Sequence, residues 1–180
     1  MNTQDTIKST DKIFFEHNEI SKNKTFDCVN NTLKNCNGGE LYFENTDFET
    51  LYFADSRIQN ISQNSSQGFG FRSIRDDTTA FSSSDNITFK NIVHASKTVN
   101  SINKSNNKNG TIYKNNNHTK PLYISKNPID SFEFSKKIKL LEKINDFARK
   151  LDNRVVQVSV SLTGSFSSIQ ILKKDFENHA

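Results

Sequence analysis

Residues 39–84 constrain the fold more than any other part of the chain. Short apolar runs alternate there with polar residues, and turn residues interrupt them, the signature of successive β-strands. The densest point is Gln67-Gly68-Phe69-Gly70-Phe71-Arg72. Strand alternation puts Phe69 and Phe71 on one face and Gly68, Gly70 and Arg72 on the other. A face bare until its arginine requires that other backbone come close or that the strand bend. Gly68, Gly70 and Arg72 are thus the residues to place, either as structural positions or at a substrate cleft where Arg72 holds a carboxylate or carbonyl. No nucleophile, base or metal cluster accompanies them, so the stretch suggests a scaffold more than a reaction.

The other elements follow from periodicity and breakers. Phe26, Val29 and Leu33 recur at helical spacing, so a helix is expected over 26–36, stopped by Asn37-Gly38-Gly39. Strands are expected over 40–44 and 48–54, joined by a turn at Asn45-Thr46-Asp47. Another over 57–61 follows the turn Asp55-Ser56. Asn64-Ser65-Ser66 leads into a strand over 68–75, and Asp76-Asp77 turns the chain into 78–83. Short connections favour antiparallel neighbours.

From Thr88 the period becomes helical through Phe89, Ile92, Val93, Ser96, Val99 and Ile102, with Thr88 as cap. Residues 103–120, rich in Asn and Lys, read as a mobile surface linker, and 121–128 as extended chain. Asp130 and Glu133 resemble a capping box before a helix reaching Leu151, whose stripe is Ile138, Leu141, Ile144, Ala148 and Leu151, widened by Leu140 and Phe147. A C-terminal hairpin is expected from 154–162 and 166–172 around Thr163-Gly164-Ser165. The fold class is α+β: a curved, mainly antiparallel sheet covered by two or three helices and completed by that hairpin. Residues 1–24 read as a flexible arm or short helix, 25–174 as one domain, and 175–180 as a tail.

The chemistry-bearing residues do not assemble into a site. His17, His94, His118 and His179 are scattered, without the spacing of a zinc site, and Glu16-His17 lacks the remaining ligands. Cys28 and Cys36 suit two reduced thiols in a cytoplasmic protein. Gly68-Phe69-Gly70-Phe71-Arg72 lacks the third glycine and following helix of a dinucleotide site. Twenty-four basic residues against 20 acidic leave a net charge of +4, spread along the chain, which gives only weak attraction to phosphate. Nucleic acid is not an expected partner. Nor is a membrane, since no apolar run approaches a spanning length and the N-terminus carries no apolar signal core.

Taken in order, several segments resemble the N-terminal region of the TldD/PmbA family, on its TldD side. They are Gly39-Glu40-Leu41-Tyr42-Phe43, Leu51 through Ile58, Gln67 through Ser73, Thr79-Ala80-Phe81, Asp85-Asn86-Ile87, Pro121-Leu122-Tyr123, Asn127-Pro128, Lys137 through Asp152, Arg154 through Val158 and Ser161 through Gly164. The likeness runs from about Phe26 to Leu172. It implies a zinc-dependent, cytoplasmic peptidase that acts on small or unfolded peptides beside a related metal-free subunit. The family's metal motif, a histidine-glutamate pair with a second histidine downstream and a later cysteine, has no counterpart here.

The resemblance thus implies the family's N-terminal domain, truncated before the metal site. No catalytic, metal-binding or cofactor-binding residue is expected in this chain, and zinc belongs to full-length members. The implied partners are a TldD/PmbA-type subunit or a separately encoded C-terminal fragment, with peptide substrate only in a complete assembly.

Overall fold

The computed structural model describes residues 3–103, 126–174 and 178–179. In chain order these form α1 (Thr3–Asp11), a π-helical turn (Lys12–Glu16), α2 (Lys22–Leu33), β1 (Gly38–Ala54), β2 (Arg57–Arg75), β3 (Thr78–Ser84), α3 (Phe89–Asn103), α4 (Phe134–Leu151), β4 (Ser159–Lys173) and the two-residue β5 (Asn178–His179). The strands make one sheet in the order β3-β2-β1-β4-β5, with β2–β3 and β4–β5 antiparallel. The fold is α+β, as the sequence predicts. Among the described residues, no helix is long and apolar enough to cross a membrane.

Three expected turns are continuous strand instead. Asn45-Thr46-Asp47 lies inside β1, Asn64-Ser65-Ser66 inside β2, and Thr163-Gly164-Ser165 inside β4. In β1 the reason is phase. Leu41, Phe43, Leu51 and Phe53 share one parity and all are buried, so the alternation never resets across the Asn-Thr-Asp segment. In β4, Val160, Leu162, Gly164 and Phe166 likewise keep phase through the supposed turn. The hairpin expected over 154–172 is therefore corrected to the single strand β4, which begins only at Ser159, and the terminal antiparallel pair is β4 with β5. The Asp55-Ser56 turn stands: both residues have left-handed φ, 52° and 58°, as a two-residue hairpin with matching twist requires.

Several helix ends differ from expectation too. Ser21 caps α2, its hydroxyl accepting from the Lys24 N–H, and α2 ends at Leu33, before the glycines. Gly39 is needed for another reason: a Cβ there would lie 2.4 Å from the Arg72 carbonyl oxygen and 2.6 Å from a Leu33 methyl. Thr88 does cap α3, accepting from the Asn91 N–H at 3.2 Å. The capping box at α4 does not form: Asp130 accepts from the Asn127 amide, and Glu133 makes no side-chain cap. The linker over 103–120 and the extended segment over 121–128 fall largely outside the described residues, as does most of the 175–180 tail.

The chain divides into two compact units, residues 1–45, 67–124 and 168–180, and residues 46–66 and 125–167. The first has an aromatic core. Phe43 stacks on Phe14 at 5.4 Å between centroids, meets Phe15 edge-on at 5.7 Å, and lies 6.3 Å from Phe69. Phe26, Val29 and Leu33 of α2 and Ile92, Ala95 and Val99 of α3 complete it. A buried hydroxyl pair, Thr32 with Ser96 at 2.7 Å, ties these helices together.

The described part of residues 1–24 takes the short-helix alternative, as α1 and the π-helical turn, and lies in this unit. Phe14 and Phe15 are buried, and Lys22 meets Asp11 at 2.5 Å. Each fully buried phenylalanine contributes roughly 1.5–3 kcal/mol, ample to dock a short helical segment.

The second unit has a smaller core. Leu51 and Phe53 of β1 meet Leu141 of α4, with Ile58, Ile138, Val160 and Leu162 partly buried around them.

Candidate functional site

The strand carrying Gly68, Gly70 and Arg72 has the two faces that alternation demands. Phe69 and Phe71 are buried in the aromatic core. On the opposite face the glycines have separate causes. At Gly68 a Cβ would sit 2.9 Å from the Ser84 carbonyl oxygen, a close approach of backbone. At Gly70 it would meet the far edge of the Phe81 ring at 2.9 Å, because Phe81 of β3 lies diagonally across that position. The ring covers the place where the glycine has no side chain. Arg72 Nε donates to Glu40 Oε1 at 2.7 Å, and this bond and the nearby charge hold the guanidinium above its ordinary pKa. The structure brings the three residues together on one face, with Arg72 engaged by a strand neighbour.

The strongest electrostatic feature lies in the second unit, and the sequence reading missed it. Glu49 and Lys137 form an ion pair with both side chains buried. Gln63 donates to the other carboxylate oxygen at 2.9 Å, and Lys137 Nζ also donates to the Ile129 carbonyl at 2.7 Å. Burial by itself would raise the Glu49 pKa. The hydrogen bonds from Lys137 and Gln63, with the lysine charge, outweigh it and hold the carboxyl below its ordinary value. A visible signal existed: Glu49 falls in phase with Leu51 and Phe53, and Lys137 lies one helical turn before Leu141. A charge on each of two apolar faces pointed to a pair.

Beside this pair is a cavity of about 530 Å3. Ile129, Phe132, Leu140 and Leu162 supply its apolar wall, while Lys136, Lys139 and Lys143 stand on its α4 side. Its ion pair is mutually satisfied, so the cavity presents apolar surface and exposed lysines rather than a free carboxylate. Tyr42 is no better as an acid or base. Burial, a 2.8 Å hydrogen bond to Glu44 and that carboxylate's charge push its phenol up to about 12.

The described residues do not fit a zinc ion. Among the described residues, no three His, Cys, Asp or Glu side chains converge on a metal position. Cys36 is buried with its Sγ 3.7 Å from the Thr32 carbonyl, and Cys28 packs at the edge of the aromatic core. His94 is exposed on α3, and His17 ends the π-helical turn. No catalytic step is therefore assigned to a metal here.

Comparison with known proteins agrees with the fold. A family model described as PmbA/TldA metallopeptidase domain 1 matches residues 39–101. The metalloprotease TldD homolog of Buchnera aphidicola subsp. Acyrthosiphon pisum is 34% identical over 139 residues, covering 76% of this chain and 28% of that protein. Its counterpart from Buchnera aphidicola subsp. Schizaphis graminum is 29% identical over 171 residues, covering 94% and 35%. Among solved structures, a Thermotoga maritima protein described as a candidate modulator of DNA gyrase superposes with a TM-score of 0.68 at 14% identity, covering 91% of this chain and 36% of that one. TldE from Thermococcus kodakarensis gives 0.59 at 15% identity, covering 84% and 35%. These two likenesses concern the fold. The chain spans about a third or less of the curated relatives' length, 28% and 35%. It belongs to the TldD/PmbA family, whose first domain it carries.

Proposed function

We infer that the chain is an N-terminal module of a TldD-like metallopeptidase and does not hydrolyse peptides by itself. The observation that carries this reading is the match to the family's first domain over residues 39–101, in a chain without a histidine-glutamate pair followed by a second histidine. Zinc chemistry needs ligands that fix the metal and leave a position open for water, and a scaffold without those side chains cannot replace them. Glu49, the buried carboxylate best shielded from water, is committed to Lys137 and Gln63. A cytoplasmic location follows from the same family resemblance.

The test is direct. The purified chain is incubated with one equivalent of zinc and an unstructured fluorogenic peptide, and metal content is measured after desalting. The expected result is substoichiometric zinc and no cleavage above buffer; tight stoichiometric zinc with turnover overturns the proposal.

A second reading, that the chain is a non-catalytic interaction subunit, is favoured by one observation. α4 leaves Leu140, Ile144, Phe147 and Leu151 exposed. In this reading the partner is a TldD/PmbA-type subunit or a separately encoded fragment bearing the metal site. Mixing the chain with such a fragment at micromolar concentration should give a complex on size exclusion and restore hydrolysis. Two separate peaks would count against it.

A further inference from the structure

We propose that the exposed face of α4 is a docking seam for an amphipathic helix of a partner protein, with its apolar stripe flanked by carboxylates. This deepens the interaction reading and rests on it. α4 buries Lys137, Leu141 and Asn145, spaced four residues apart, against its own unit. A second row, Leu140, Ile144, Phe147 and Leu151, points away; Phe147 is 66% exposed and Leu151 69%, against 1% for Leu141. Its 4-3-4 spacing is that of a seam between paired helices. At its N-terminal end the row runs into the 530 Å3 cavity, where Leu140 joins Phe132, Ile129 and Leu162. The stripe is thus continuous with a recess able to accept a large apolar side chain.

Charge selects the occupant. Lys136, Lys143 and Lys150 recur every seven residues along one flank, and Lys139 lies just outside them; all are exposed. Lys136 pairs with Glu133 at 3.4 Å, while Glu142 and Asp146 lie one helical turn from Lys139, Lys143 and Lys150, on the side away from the apolar row. The opposite flank is the helix's own buried face. A two-fold antiparallel pairing with a second copy would set each lysine row against itself, which like charges disfavour. A helix with glutamates or aspartates beside its apolar row would instead meet opposite charge along its length. A membrane surface is the weaker match, because the apolar row is a narrow seam and Glu142 and Asp146 follow the lysines around the helix.

The test uses the full chain and two synthetic helices of about three heptads, each with a leucine seam, one flanked by glutamate and one by lysine. Fluorescence anisotropy should show saturable binding of the glutamate peptide at least about tenfold tighter than the lysine peptide, weakening as salt rises. Triple reversal K136E/K143E/K150E should invert that preference while keeping the apolar row. F147S/L151S should abolish binding of both peptides with an unchanged far-UV spectrum. Equal affinities, or no saturable binding by either peptide, overturn the proposal. So does a wild-type dimer in sedimentation that F147S/L151S dissolves, or binding to phosphatidylserine vesicles without peptide preference. Peptide hydrolysis with zinc, measured separately, would refute the non-catalytic reading without touching this result.

Discussion

The two units of the chain solve the same packing problem with different means. In residues 1–45, 67–124 and 168–180, phenylalanines from helix and strand meet ring to ring, and α2 and α3 carry further apolar side chains into the same core. In residues 46–66 and 125–167 the fully buried apolar residues are Leu51, Phe53 and Leu141, while Glu49 and Lys137 occupy positions that periodicity assigns to hydrophobes. Burying apolar surface is favourable wherever it occurs, whereas a buried ion pair must first offset the loss of water around both charges. The first unit is therefore built for stability. The second spends part of its interior on a polar cluster and leaves an apolar helix face outside, a pattern suited to a surface that binds.

The largest expected effect tests the aromatic core. Phe43→Ala should cost about 3–5 kcal/mol in urea unfolding, because Phe43 touches three other rings and its removal leaves a cavity. Phe53→Ala in the second unit should cost less. Equal losses would break the contrast between the cores.

Lys137→Met should cost about 3–5 kcal/mol by leaving Glu49 buried without its cation, and the double variant Glu49→Leu/Lys137→Met should regain most of that. Amide hydrogen exchange over 46–66 and 134–151 would show whether the loss stays in the second unit. The pH dependence has a definite sign. Glu49 titrates below its ordinary 4.5 in the folded chain, so its contribution is complete above about 4.5 and is lost as pH falls through the lowered value. In Lys137→Met, burial raises that pKa, and stability should instead fall as pH rises through the carboxylate range. A wild-type stability flat from pH 6 to acid unfolding would remove the ion pair from the account.

Smaller effects probe the backbone. Gly39→Ala should destabilise by about 1–3 kcal/mol, since φ is +147° and the new Cβ would strike the Arg72 carbonyl. Gly70→Ala should cost less, because the atoms in its way belong to the exposed ring of Phe81, which can shift. Replacing Asp55-Ser56 by Asn-Gly should stabilise by about 0.4–1 kcal/mol, as both positions already hold left-handed φ. Thermal denaturation resolves all three, and a stabilised Gly39→Ala would show that the close approach is not a constraint.

Much of this was legible beforehand because it depends on neighbours in sequence. Phe69 and Phe71 against Gly68, Gly70 and Arg72 is a consequence of strand geometry, and the Thr88 cap and Asp55-Ser56 turn are local chemistry. Misreadings arose where local composition favoured a turn and pairing overrode it. Asn45-Thr46-Asp47, Asn64-Ser65-Ser66 and Thr163-Gly164-Ser165 became strand because each lies in a long strand held by its neighbours in the sheet. The α4 stripe was half right: Leu141 faces inward, but Leu140, Ile144, Phe147 and Leu151 do not.

By itself, then, the sequence determined the alternation, the Thr88 cap and the family likeness, since these are properties of residue identity and spacing. Which face of α4 turns inward was decided only by tertiary structure. An apolar helix stripe states that burial is favourable, but the surface available to bury it is set by other segments. Here the Glu49 carboxylate draws Lys137 inward, and the leucine-phenylalanine row is left to solvent. The bare face of Gly68–Arg72 was settled in the same way, by Ser84 backbone, the Phe81 ring and Glu40 arriving from other strands.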